Sequence, residues 1–596
     1  MSRTPVLVLA AVLLLPACSL SQKRLQEVDA RVAASREKSL SCPAQQHDRC
    51  ALTSPVLELG RAATREGRHF VALVESGEQA LQLRLHLIRA ARESIDVQNF
   101  ILRKDATGEL VLAELLQAAR RGVRVRLLLD QMFSFSDAEY LVALTMAHRN
   151  FQIRFYNPSF DKAEMAKHDW ISAVACCFQG FNQRMHNKLQ VVDDVVGLVG
   201  GRNIADRYFD YDTNYNFKDR DVAVYGATAV AMRESFEWFW DSPETVPVQH
   251  LRDVASELLA HPPAALGPHV PPARLAEQLE IIADERYVRA AFVDAALAVE
   301  QLEYFSDRPR KQAFPQDAPR KDITQELYDV LISAQHSVVI QSPYMVLSKR
   351  ARRVFAELRE RNPDIELVYS TNSLASTDAD TVYAHTHRHK DRYIDRLGFR
   401  MYEFKPFPVD APDFFPRWPR LIEEKKQGIS SNSVVSGDNS TIPMPAPRVG
   451  LHSKSFVVDG RVAMIGSHNF DPRSEGFNTE NGLIVWDATF AQALEQLIRR
   501  DIEPQNSWVV AMRPDPAEQA TAIATPPGNN TEFLPWFYGS TSVYELAPGK
   551  KPVPPGSADF YRHYYSVGSF PEVIRTRRQI NVLFLGSFFF FLEPIL

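Results

Sequence analysis

Two stretches of this 596-residue chain carry the same polar residues at the same spacing. Residues 186–203 read HNKLQVVDDVVGLVGGRN and residues 452–469 read HSKSFVVDGRVAMIGSHN. His186/His452, Lys188/Lys454, Asp193/Asp459, Gly200/Gly466 and Asn203/Asn469 all differ by 266, with no insertion. On an extended strand, a histidine and a lysine two residues apart project to one face. If the two stretches pack about a pseudo-twofold axis, two imidazoles and two ammonium groups converge on one pocket. The lysines, with Asn203 and Asn469, can then donate to the oxygens of a phosphodiester. Lysine acts here as a compact charge that needs no bidentate geometry. One imidazole can attack phosphorus and form a covalent phosphohistidine. The other can protonate the leaving alcohol and then deprotonate an incoming water or alcohol. Imidazole suits both tasks because its unperturbed pKa is about 6.5.

An acidic residue bonded to each ring would fix its tautomer. NFKDRDVAV (216–224) aligns with FNTENGLIV (477–485), which offers Asp219 and Glu480 for that role. Asp193 and Asp459 complete the motif and are counted in its catalytic set, although bracing of the local fold is the more natural task for them. Gly200-Gly201 and Gly466-Ser467 are small enough to let a backbone approach the ligand. No metal and no other cofactor is expected, because the lysines supply the positive charge.

These residues need strands and helices to hold them, and the surrounding sequence repeats those too. Upstream, LIRAARESIDVQNF (87–100) matches LISAQHSVVIQSPY (331–344). Helix-like GELVLAELLQAARRG and RARRVFAELRERN follow, with apolar residues recurring at three and four. Strand-like VRVRLLLD and IELVYST come next, and paired strands flank each motif: KLQVVD with VGLVGG, and KSFVVD with RVAMIGS. A further helix closes each half near Trp240 and Arg500. Alternating strands and helices indicate a duplicated α/β domain with a mixed sheet covered on both faces. Two chance H-x-K strings do not account for five matched positions at one offset.

Composition sets the outer limits. Apolar residues make up 45% and charged residues 24%, an ordinary globular balance. The formal charge of −5 gives no argument for broad nucleic-acid binding, so nucleic acid is not an expected partner. The N-terminus, MSRTPVLVLAAVLLLPACSL, has the layout of a secretory leader, and its L-P-A-C resembles a bacterial lipobox that would leave Cys18 lipidated. An oxidising compartment can close Cys42 to Cys50, whereas adjacent Cys176 and Cys177 are expected as free, buried thiols. The C-terminal RTRRQINVLFLGSFFFFLEPIL reads equally as a buried segment or as a membrane-surface element with a basic flank.

Several weaker features complete the reading. Residues 410–450 are expected to form an irregular loop bordering the site, and residues 513–560 an irregular extension. His385, His387 and His389 suit a polar helix start or loop better than a metal site. FEWFW (236–240) suits core packing.

HNKLQVVD…GGRN and HSKSFVVD…GSHN resemble the paired HxKxxxxD motifs of the phospholipase D superfamily, over residues 65–505. The resemblance implies two α/β/α halves with mixed sheets that form a pseudo-dimer around one active site, and a metal-independent phosphohistidine mechanism. GGRNIADRYFD followed by FKDRDVAV, then GSHNFDPRSEGFNTENGL, is similar to the bacterial cardiolipin synthase branch, which transfers a phosphatidyl group between phospholipids. The terminal FLEPIL resembles the endings of such synthases; the lipobox is a departure from them. The organisation implied is a leader over 1–18, an N-terminal extension over 19–64, a first phospholipase D-like domain over 65–259, a linker and helical connection over 260–320, a second domain over 321–505, and a C-terminal extension with an apolar tail over 506–596. The function implied is phosphatidyl transfer on phospholipid substrates by an exported protein, lipid-anchored on the periplasmic side of the inner or outer membrane. Hydrolysis to phosphatidic acid and a catalytically silent lipid-binding lipoprotein are the alternatives.

Overall fold

The computed structural model describes residues 19–42, 50–262, 266–311, 323–429, 445–524 and 539–573, together with Gln579 and Val582. The segment read as a leader, with Cys18, and the apolar residues beyond Val582 lie outside the described residues.

The helices of the repeat start and stop where their sequences dictate. Asp105 caps Ala106–Arg121 by accepting from the Gly108 amide at 3.0 Å, and Gly122, at φ 112°, ends it in the left-handed region. Ser348 caps the matching helix Lys349–Arg361 by accepting from the Ala351 amide, also at 3.0 Å. Their apolar stripes bury Leu110, Leu112, Leu115 and Leu116 in one half, and Ala351, Phe355 and Leu358 in the other.

Among the described residues the strands form a nine-stranded and a ten-stranded mixed sheet. In the first, Ser94–Asn99, Arg124–Asp130 and Phe151–Tyr156 run parallel, and Ser94–Asn99 pairs antiparallel with Leu189–Val192. Val196–Gly200 and Asp221–Gly226 extend the sheet from there. In the second, Ser337–Gln341, Glu366–Asn372 and Phe399–Phe404 are parallel, followed by Ser455–Val458, Val462–Gly466 and Asn481–Trp486 in the same order and directions. The duplication therefore extends to outer strands that the sequence does not match: His69–Val74 corresponds to Leu302–Ser306 and Thr245–Pro247 to Ser507–Met512.

One apolar cluster is shared by both halves. Val199, Val222, Phe236, Phe239 and Trp240 of the first pack in it with Val457, Ile465, Leu483, Leu494 and Ile498 of the second. FEWFW thus belongs to the core, on the helix Thr228–Trp240. Burial on this scale, about 1.5–3 kcal/mol per large side chain, holds the two sheets at a fixed separation.

The structure corrects several expectations. The H-x-K triplets do not lie within strands: His186 to Lys188 and His452 to Lys454 fall just before Leu189–Val192 and Ser455–Val458. They are the crossing points at which the chain leaves a pairing with the opposite half and joins its own sheet. Residues 410–450 are partly helical, at Ala411–Phe414 and Trp418–Lys426, and end in the strand Arg448–Leu451; residues 430–444 lie outside the described residues. The C-terminal extension adds Thr541–Leu546 and Tyr564–Gly568 to the second sheet. His385, His387 and His389 sit in mid-helix, within Asp380–Asp395. Cys176 and Cys177 are neither free nor buried: they form a disulfide on an exposed helix, where Cys177 (φ −138°, ψ 29°) departs from helical geometry. Cys42 and Cys50 are bonded. No described helix is long and apolar enough to cross a membrane.

Asp193 and Asp459 occupy hairpin turns at φ 51° and 52°, at the far ends of the strands that begin beside the lysines. Asp193 accepts from the amides of Arg92, Glu93 and Ser94 at 2.8–3.1 Å. Asp459 accepts from those of Gln335, His336 and Ser337 at 2.7–2.8 Å. They tie each motif hairpin to the adjacent strand instead of facing the histidines, so the catalytic set narrows by two. Asp193→Ala strands a buried amide and is expected to destabilise the fold by about 2–3 kcal/mol. Asp459→Ala is expected to cost less, because water reaches two of its three donors. The urea midpoints of the two variants check the order, and unchanged midpoints would remove the bracing role.

Candidate active site

Each half completes the other's histidine. Ahead of His186, Met185 bridges in parallel to Thr479, and the His186 amide donates to the Thr479 carbonyl at 3.0 Å. Ahead of His452, Arg448–Leu451 runs parallel to Tyr215–Lys218, and the His452 amide donates to the Lys218 carbonyl at 2.8 Å. The residue after each acceptor is an acid. His186 Nδ1 therefore donates to Glu480 Oε2 at 2.8 Å, and His452 Nδ1 donates to Asp219 Oδ2 at 2.6 Å. A carboxylate on Nδ1 fixes the tautomer and leaves the Nε2 lone pair available.

Lys188 Nζ donates to the His186 carbonyl at 2.6 Å and Lys454 Nζ to the His452 carbonyl at 2.5 Å. Asn481 clasps the Lys188 backbone, accepting from its amide at 3.0 Å and donating to its carbonyl at 3.2 Å. The sequence-derived histidines, lysines and acids thus assemble into one buried centre. The asparagines are placed differently. Asn203 accepts from the Ile101 amide at 3.1 Å and donates to the Tyr208 hydroxyl at 2.9 Å, so its amide is already engaged beside His452. The buried carbonyl oxygen of Asn469 has no protein partner among the described residues.

The small residues serve the acids more than a ligand backbone. A Cβ at Gly201 would collide with the Asp219 carboxylate. At the matching position Ser467 donates its hydroxyl to Glu480 Oε2 at 2.5 Å.

Aromatic rings not assigned from sequence line the centre. Phe100 lies 4.9 Å from the His186 ring, and Phe133 lies 5.0 Å from Phe100. Tyr208 and Phe217 pack on His452 at 5.1 and 4.8 Å. Phe100 aligns with Tyr344 in the repeated upstream window, a signal that was available in the sequence. An ion network behind Asp219 was also missed. Arg220 donates to Glu75 at 2.6 Å and to Asp501 at 2.7 Å, and Lys218 pairs with the same two acids.

Burial, and then the charges of Lys188 and Lys454, push His186 well below its usual pKa. Burial and Lys454 bring His452 down to about 4, against the pull of Asp219. Burial lowers Lys188 to about 7 and Lys454 to about 8, opposed by Glu480 and Asp219. Burial raises Glu480. It also works to raise Asp219, but His452 and Lys454 outweigh it and hold that carboxyl low. Two neutral imidazoles thus stand against their acids, where the charge of a bound anion would draw protons back.

A family model described as "Cardiolipin synthase, PLD-like domain" matches residues 85–240 and 327–502. The chain belongs to the phospholipase D superfamily, in its cardiolipin synthase-like branch. It is a phosphatidyltransferase/phosphodiesterase enzyme by that membership. A protein of Helicobacter pylori strain 26695, described as uncharacterized, is 31% identical over 76% of this chain and 84% of its own length. Cardiolipin synthase C of Escherichia coli K12 is 30% identical over 75% of this chain and 87% of its own. Phosphatidylserine synthase of Haemophilus influenzae superposes with a TM-score of 0.48 at 15% identity, covering 78% of this chain and 90% of that one.

The lysine values set a pH dependence. A lysine whose pKa is depressed loses its charge as pH rises through the lowered value. The kcat/KM of this superfamily member on a phosphodiester is therefore expected to fall as pH climbs through about 7 to 8. Lys188→Arg, whose guanidinium keeps its proton, is expected to move that fall upward even if the rate drops. A profile flat to pH 10 would contradict the assignment.

Proposed function

We propose that this enzyme is a membrane-tethered phosphatidyltransferase that moves a phosphatidyl group between phospholipids through a covalent phosphohistidine. The supporting observation is the reciprocal pairing of each buried imidazole with a carboxylate of the opposite half. Lys188 and Lys454 hold the non-bridging oxygens and offset charge that builds on phosphorus. His186 is the nucleophile: its Nε2 lone pair forms the N–P bond while the P–O bond to the leaving alcohol breaks. His452 supplies that alcohol with its proton, then takes one from the incoming hydroxyl, whose oxygen displaces His186.

The assignment follows from the surroundings. Lys188, Lys454 and Arg473 all act on His186 to keep it neutral, as a nucleophile must be. His452 faces Asp219, which is held ionised, and feels Asp378 as well, so it is the ring better able to carry a proton. Cys18 lipidation and the C-terminal apolar segment are the proposed tethers, on the periplasmic side. Transfer to a lipid alcohol is favoured over hydrolysis by the apolar rings around the centre, which disfavour water. Similarity to a protein named cardiolipin synthase C points the same way.

Incubation with phosphatidylglycerol, with and without phosphatidylethanolamine, followed by lipid separation, tests the reading. Cardiolipin is the expected product; phosphatidic acid alone would indicate hydrolysis, and neither product in a folded protein would leave only lipid binding. His186→Ala and His452→Ala are each expected to abolish turnover while keeping the fold. Asp219→Asn, which disturbs the His452 tautomer, is expected to lower kcat by about 10²- to 10⁴-fold. Wild-type rates in any of the three would overturn the assigned role.

A further inference from the structure

Solvent-facing helices of this protein carry charge. Lys349–Arg361 reads KRARRVFAELRER and buries only Ala351, Phe355 and Leu358. The helix Lys167–Asn182 reverses that pattern. No charged side chain occurs from Trp170 to Gln183, and every residue from Trp170 to Gly180 except Ala173 is exposed. Ile171 is 72% exposed, Val174 50%, Phe178 39% and Trp170 37%. Of the eight exposed large apolar side chains among the described residues, these are four, and Phe133 is a fifth. A patch this concentrated on an exposed surface marks a partner.

Its position says which partner. The helix ends three residues before Met185, which bridges to Thr479 and leads directly into His186. Asn182 accepts from Arg473 at 3.3 Å, and the charge of Arg473 reaches the His186 ring. Exposed Phe133 touches Phe100 and Phe100 touches His186, an aromatic track from the surface to the imidazole. Exposed Lys167 and His168 stand in the first turn, beside the apolar run, where anionic headgroups would meet them. The fold itself does not require such a surface. The matching insertion of the second half holds the helix Trp418–Lys426, which exposes Arg420, Glu423 and Lys426.

We propose that the helix Lys167–Asn182 inserts its uncharged face into the hydrocarbon of a phospholipid bilayer, docking the mouth of the active site on the leaflet that supplies its substrate. Tryptophan and phenylalanine on a helix without charge favour that boundary. The aromatic track then receives acyl chains while the phosphate reaches the histidines. The role given to the track rests on the phosphatidyl-transfer reading; the insertion itself can be measured without turnover, so the two fail separately.

The test uses the full chain and phosphatidylglycerol vesicles with brominated acyl chains, which quench indole fluorescence inside the bilayer. The expected result is quenching that Trp170→Phe largely removes. The double variant Ile171→Glu/Val174→Glu is expected to lower, by about tenfold or more, the ratio of turnover on vesicles to turnover on monomeric short-chain phosphatidylglycerol. Equal quenching in the parent and Trp170→Phe would overturn the proposal, since any binding would then come from tethers elsewhere. So would a parent dimer, seen by sedimentation, that the double variant converts to monomer with its vesicle ratio unchanged, because the face would then be covered by a second copy.

Discussion

The exchange of carboxylates between halves is the constraint on which the rest of this structure depends. His186 of the first half is held by Glu480 of the second, and His452 of the second by Asp219 of the first. All four side chains are buried. Separating the halves would leave each acid and each imidazole without its partner, and buried charge without a partner is expensive. The shared apolar cluster and the Arg220–Glu75–Asp501 network maintain the fit on which hydrogen bonds of 2.6–2.8 Å depend. The parallel pairing of Arg448–Leu451 with Tyr215–Lys218 and the parallel bridge of Met185 to Thr479 set the register, so that an acid follows each accepting carbonyl.

Duplication produced two similar halves, and the differences between them divide the labour. Arg202 donates to the carbonyls of Val74, Glu75 and Asp219, stiffening the segment that presents Asp219. The matching residue is His468, a neutral ring beside Glu480 whose pKa burial lowers to about 3. Gly201 makes room for Asp219, whereas Ser467 bonds to Glu480. Gln341, opposite Ser455, bonds to Asp501, while Gln98, in the same place opposite Leu189, is buried with neither end of its amide paired among the described residues. One acid is therefore held low and the other is raised by burial, which is the kind of difference that two distinct proton tasks require.

Much of this was legible in the chain because a duplication writes its constraints twice. The matched offset identified the histidines and lysines, and alignment of 216–224 with 477–485 found both acids. It could not say that the pairs cross, because two self-contained halves would carry the same residues. That information lies in the strand pairing across the halves, which follows from packing of whole sheets. Glu75 and Asp501 were illegible for a similar reason: their partners lie far away in sequence. Asp193 and Asp459 were legible as braces of the local fold, and their three amide bonds each fit that task better than a place in the catalytic set with which the motif counted them. The helix Lys167–Asn182 was readable in principle, since fourteen consecutive uncharged residues (170–183) stand out in a chain that is 24% charged.

The crossed pairing also bears on the halves taken singly. Either half standing alone would keep its ring but lose the carboxylate that here bonds to it. Two copies of such a half, packed as the halves pack here, would lend each other the missing acid. Joined in one chain, the two copies need not stay identical, and the difference between Arg202 and His468 behind the two acids is what a shared polypeptide permits and a symmetric pair of identical subunits does not.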